Sequence, residues 1–255
     1  MNQAGEVIIL HLSDLHRTRG HEVTNNNLWH YLNRDITTEF QNTNSSLGLS
    51  DPKLPQPKEI DLIIISGDIT QKAASNEYQE AAQFITLLVE NVLDNDKTRL
   101  ILVPGNHDVD WGYSRGAYTE AQQATLETVR TASVQASPFR FQVGNNSTTR
   151  TLMERHREDI YQERFKAFAD FFSSFYDSGE YQFNLKDRAK QYTIYDKFTA
   201  TLKIVVVGFN SCDLVDHLWH RGAINLEAIF NAASDLEKKK LSDKRRTFAP
   251  CGMAS

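Results

Sequence analysis

The chain has 255 residues, of which 40% are hydrophobic and 24% charged, with a formal net charge of −5. That length suits one large domain or two small ones, and the acidic balance excludes binding to nucleic-acid backbones through a general positive field. Two cysteines, Cys212 and Cys251, are too few for a disulfide scaffold. No stretch reaches the roughly 20 apolar residues of a membrane span, and the N-terminus lacks a signal peptide's basic start and apolar run. A reduced, cytoplasmic protein is expected.

Val7 to Leu12 reads as a first strand, buried on both faces because its apolar run does not alternate with polar residues. It leads into the stretch His11-Leu-Ser-Asp-Leu-His16. Residues 41–59, rich in Asn, Ser and Pro, read as a surface loop. Asp61 to Ser66 is the second strand. Ser75 is placed to cap a helix in which Tyr78, Ala81, Ala82, Ile85, Leu88, Val89 and Val92 recur at helical spacing. Arg99 to Val103 is the third strand, stopped by Pro104, and strand, helix and strand together predict a parallel βαβ unit.

A long insertion, residues 111–198, follows and is expected to be a helical cap. Ile160, Phe165, Phe168, Phe172 and Phe175 lie near one helical stripe there, which suits packing better than ligand stacking, and residues 133–151 look irregular. Lys203 to Phe209 is a fourth strand, and Leu226, Ile229, Phe230, Ala233 and Leu236 mark a second amphipathic helix.

Each of the first three strands runs into a polar cluster: Asp14-Leu15-His16, Gly67-Asp68, and Gly105-Asn106-His107-Asp108. At the carboxyl edge of a parallel sheet these clusters would meet, where ligand sites of open α/β sheets gather. Acids packed together need a counter-charge. Carboxylate, imidazole and amide oxygens suit Mn, Fe, Zn or Mg, and Gly67 and Gly105 permit tight turns beside the ligands. Singly, each cluster has a plainer reading, Asp14 as a helix cap and Gly-Asp as a turn; the three in order point to a metal. His11, His217 and His220 read as structural, and Cys212 as a small buried residue.

The stretches "SDLH", "SGDIT" and "VPGNHD" resemble the first three motifs of the calcineurin-like metallophosphoesterases, and "GFNSC" and "HRGAI" resemble segments that follow in that family. The resemblance implies the family's α/β/β/α sandwich and two divalent metal ions. It implies Asp14 and His16 as ligands of one metal, Asp68 as a bridging carboxylate and Asn106 as a ligand of the other. His107 would face the substrate, with Asp108 orienting its imidazole. The reaction implied is hydrolysis of a phosphomono- or phosphodiester by a metal-bridging hydroxide. Arg17 and His21, just past the first motif, are candidate contacts for the substrate phosphate.

The family's later histidine motifs do not follow Ala228. The expectation is therefore a single domain over residues 1–255 whose C-terminal portion is missing, with weak binding of the second metal and a need for an absent segment or partner domain. An inactive or regulatory module of the same fold is the alternative to the enzyme.

Overall fold

The computed structural model describes residues 7–46, 60–134, 137–144, 148–176, 181–198, 202 and 204–247. Strands β1 (Ile9–Leu12), β2 (Leu62–Ser66) and β3 (Leu100–Val103) form a parallel sheet with β2 in the centre. The register sets Ile9 beside Leu62 and Ile63 beside Leu100, so the three strands end at one edge. Helix α2 (Ser75–Val92) connects β2 to β3, as its apolar spacing predicts, and buries Ala81, Phe84, Ile85, Leu88, Val89 and Val92. The helix starts at Ser75 and is not capped by it. The Glu77 carboxylate instead reaches back to accept from Lys72 N at 2.8 Å and Ala74 N at 3.2 Å, fastening the segment that leads into the helix.

Helix α1 (Asn25–Ser46) between β1 and β2 was not foreseen and takes in the start of the expected 41–59 loop. Residues 47–59 of that loop lie outside the described residues. Thr24 Oγ1 accepts from Asn27 N at 3.3 Å at its start, and Leu28, Trp29, Leu32 and Ile36 pack on the sheet's core. The first strand also differs from expectation: its burial is one-sided. Leu10 and Leu12 pack into the core, while Ile9 is 45% exposed and His11 pairs with the exposed Ser66 through Nε2 and Oγ at 2.6 Å.

Residues 111–198 are not wholly helical. Helices α3 (Trp111–Gly116), α4 (Leu126–Thr131), α5 (Glu158–Gln162) and α6 (Lys166–Phe175) accompany an antiparallel sheet of β4 (Tyr118–Glu120), β5 (Phe139–Val143) and β6 (Arg150–Arg155), with β6 in the centre. The expected aromatic stripe breaks at a 3-10 turn over Glu163–Phe165. Phe168, Phe172 and Phe175 join the main core, Phe165 packs with Val109, Cys212 and Val215, and Ile160 packs beside Tyr118 and Tyr161.

The fourth expected strand is β8 (Val206–Phe209), paired antiparallel with β7 (Tyr192–Tyr195) in a separate two-stranded sheet. This hairpin reaches β3 through a side chain. Tyr195 Oη donates to Leu102 O at 2.6 Å and accepts from Leu102 N at 3.1 Å, and Tyr176 Oη donates to Leu100 O at 2.7 Å. Tyrosine hydroxyls thus satisfy the outer edge of β3, which would otherwise present unpaired backbone groups. The expected C-terminal helix is α7 (Leu226–Thr247). No helix among the described residues is long and apolar enough to cross a membrane.

Candidate metal centre

The loops leaving β1 and β2 are laced together beyond the strands. Asp14 N donates to Gly67 O at 3.3 Å, His16 N to Asp68 O at 2.9 Å and Arg17 N to Ile69 O at 2.9 Å. Within this lacing Asp14, His16 and Asp68 have φ of 56°, 43° and 50°. Non-glycine residues rarely take this left-handed conformation, which costs on the order of 1–3 kcal/mol and persists where surrounding contacts enforce it. Gly67, at φ 101°, lies against Gly105. A Cβ on Gly67 would come within 2.7 Å of Gly105 Cα, and one on Gly105 within 2.2 Å of Asp68 Oδ1. The second and third loops can approach only because neither residue has a side chain.

These constraints bring one donor atom each from His16, Asp68 and His107 within 4.8 Å of one another. Asp14 is beside them, Oδ1 3.8 Å from His16 Nε2, with its side chain 67% exposed. The His16 and His107 rings meet edge to face, centroids 4.6 Å apart. His16 Nδ1 is buried without a hydrogen-bond partner. Asn106 opens the 3-10 turn Asn106–Asp108 and lines a cavity with His107. An orphaned imidazole nitrogen, carboxylates and an amide fit a divalent cation of intermediate hardness. Among the described residues, His16, Asp68 and His107 are the one such group of histidine and carboxylate donors.

His107 N donates to Asp68 Oδ1 at 2.9 Å, and its ring Nδ1 meets Gln71 O at 2.9 Å. A carbonyl only accepts, so Nδ1 carries the proton and Nε2 is the atom left for chemistry. The expected Asp108–imidazole contact is absent, because the carboxylate is fully occupied elsewhere. Its Oδ1 accepts from Thr70 N at 3.0 Å, Thr70 Oγ1 at 2.9 Å and Tyr78 Oη at 3.1 Å, and its Oδ2 from Gly105 N at 2.9 Å and Ile69 N at 3.1 Å. Asp108 is completely buried and ties the second loop to the third; burial pushes its pKa up, against the hydrogen bonds that hold it down.

The family model for calcineurin-like phosphoesterases matches residues 7–230. The chain belongs to the calcineurin-like phosphoesterase family. It has the family's α/β fold, with the metal-binding character that family membership carries. No curated protein sequence matches the chain.

Of the two expected phosphate contacts, Arg17 turns inward and His21 is half-buried. Arg17 is 3% exposed and donates through Nη2 to Val23 O at 2.9 Å; burial lowers its pKa. His21 Nδ1 accepts from Val23 N at 3.1 Å. Both fasten the 17–23 turn, since a position just after a ligand in sequence need not face it in space. His217 and His220 lie on aromatic rings, His217 edge-on to Tyr118 and His220 stacked on Trp111, outside the metal group. Cys212 is buried, as expected, with its thiol pushed up to about 12 by burial. The sequence reading missed Gln71, whose carbonyl fixes His107 and which no side-chain pattern marks. It also missed Lys72, Trp111 and Arg115 in the wall of the adjoining cavity; Trp111 follows His107 by four residues and could have been flagged by that proximity.

Proposed function

We propose that the chain is a metal-dependent phosphoesterase that hydrolyses a phosphomono- or phosphodiester. The convergence of His16, Asp68 and His107 from three loops carries this reading. Asp14, His16 and Asp68 would hold one cation, and Asp68 with Asn106 a second. When bound, the cations supply Lewis acidity toward phosphoryl oxygens and a water deprotonated near neutral pH. His107, pinned at Nδ1 by Gln71 O, would face the phosphoryl group through Nε2 and, when protonated, give that proton to the leaving oxygen. Asp108 supports the site by holding the second and third loops together.

Release of p-nitrophenol from bis-p-nitrophenyl phosphate with added Mn²⁺, compared with Asp68→Asn, tests the reading. Metal-dependent release that Asp68→Asn abolishes is expected. Absence of metal-dependent release would favour the second reading, a non-catalytic module. The exposure of the Asp14 carboxylate is the observation on that side.

A further inference from the structure

The cavity beside His107 has a volume of about 500 Å³, the size of a small-molecule site and larger than one phosphate group needs. Asn106 and His107 form one part of its wall, and Lys72, Asp110, Trp111 and Arg115 are the other charged and aromatic residues that line it. Trp111 is 36% exposed, and its ring lies nearly parallel to that of His220, at 11° and 5.3 Å between centroids. One aromatic neighbour is thereby fixed while part of the indole remains open. Neither Lys72 nor Arg115 forms an ion pair with another described residue. Asp110 also lines the cavity, with its Oδ1 accepting from Gly112 N at 2.6 Å. The wall therefore combines a large π surface with two cations and one carboxylate, a net positive lining, within reach of the group that would bind phosphate.

Resting on the phosphoesterase reading, we propose that this cavity is a base-recognition subsite and that the substrate is a mononucleotide ester. Trp111 stacks on the base, and Lys72 and Arg115 pair with phosphate oxygens. Base stacking is sequence-tolerant and depends on the ring's π face, while guanidinium and ammonium groups pair well with phosphate. The bounded volume and the chain's net charge of −5 favour a single nucleotide over a polymer, whose backbone would need an extended positive track.

The test compares AMP with ribose 5-phosphate by ligand-observed NMR titration in Mg²⁺ and again in EDTA. Turnover is not read, so failure here is distinct from failure of p-nitrophenol release. AMP is expected to bind about 5- to 150-fold more tightly than ribose 5-phosphate, the range that one stacked base provides. Trp111→Leu is expected to erase that preference while leaving ribose 5-phosphate binding in place, and Trp111→Phe to restore most of it. Arg115→Gln combined with Lys72→Gln is expected to weaken both ligands alike. Equal affinity of the two ligands, AMP preference retained in Trp111→Leu, or no AMP binding at millimolar concentration would each overturn the proposal. Trp111→Phe keeps the test valid should the leucine variant fail to fold.

Discussion

Replacing Asp108 tests whether the site is held by a buried carboxylate knot. In Asp108→Ala three fixed donors, Ile69 N, Thr70 N and Gly105 N, lose their acceptor at 3.1, 3.0 and 2.9 Å. The Thr70 and Tyr78 hydroxyls can turn elsewhere, but the backbone N–H groups cannot. At about 1–3 kcal/mol for each orphaned buried donor the loss is about 3–9 kcal/mol, partly offset by removing a desolvated charge. That is comparable to the whole stability of an ordinary domain, so the variant should sit at the edge of unfolding. Asp108→Asn should cost less. With the amide nitrogen in the Oδ1 position only Thr70 N confronts it, since both hydroxyls can rotate to accept, and Oδ2 remains an acceptor for Gly105 and Ile69. One lost charge-assisted bond predicts about 1–3 kcal/mol. Urea unfolding followed by circular dichroism reads both. If Asp108→Ala unfolds within about 1 kcal/mol of wild type and loses only turnover, the carboxylate acts on the imidazole after all.

His107→Gln should retain metal affinity measured by calorimetry while turnover falls about 10²- to 10⁴-fold, the contribution of a general acid; equal loss of metal would make His107 a ligand. Cys212, buried and with its thiol raised to about 12, should resist iodoacetamide near pH 8 in the folded protein and react in urea, as read by peptide mass spectrometry; modification under native conditions would contradict its burial. His217 has its pKa lowered, first by burial, with Arg115 and His220 adding to the shift and Asp216 opposing it. The unfolded chain then binds more protons just below about pH 6.5, so this residue's contribution is present above that pH and lost on acidification. Between about pH 7.5 and about pH 5.5 wild type should lose more stability in urea than His217→Gln, and parallel losses would refute the assignment.

The parallel sheet and the convergence of its three loops were legible because each motif is local: an apolar strand followed at once by carboxylate, imidazole or amide residues. Helix α1 was hidden by its composition, for Leu28, Trp29, Leu32 and Ile36 sit among Asn, Thr and charged residues. Strands β5 and β6 were hidden because three arginines, a threonine and a glutamate occupy them, and no regular alternation of apolar and polar residues marks β6. Adjacency misled at Arg17 and at Asp108. Each follows a site residue directly, yet one is turned into its own loop and the other into the junction between loops. Contacts made through backbone carbonyls, such as Gln71 to His107, leave no mark in a pattern of side chains. The Tyr195 hydroxyl on Leu102 joins residues far apart in the chain, and no spacing rule reaches that distance.

The left-handed backbone at Asp14, His16 and Asp68 implies that the site is preorganised at the expense of stability. Asp14 is the position at which this can be measured, since its exposed side chain makes one described contact, 3.8 Å from His16 Nε2, and its N–H bond to Gly67 O survives any substitution but proline. A left-handed conformation costs an ordinary L-residue about 1–2 kcal/mol, and glycine nothing, while glycine's extra freedom in the unfolded chain returns about 0.5–1 kcal/mol of that difference. In EDTA, Asp14→Gly should therefore be more stable than Asp14→Ala by up to about 1 kcal/mol and at least match wild type in urea unfolding. With Mn²⁺ added the order should reverse against wild type, because a ligand that binds only the native state adds stability in proportion to RT ln(1 + [L]/Kd), and the variant has lost a carboxylate donor. If alanine is clearly more stable than glycine in EDTA, the first loop is not held left-handed and the strain is absent. If Mn²⁺ stabilises Asp14→Gly as much as wild type, the strained loop serves something other than a cation.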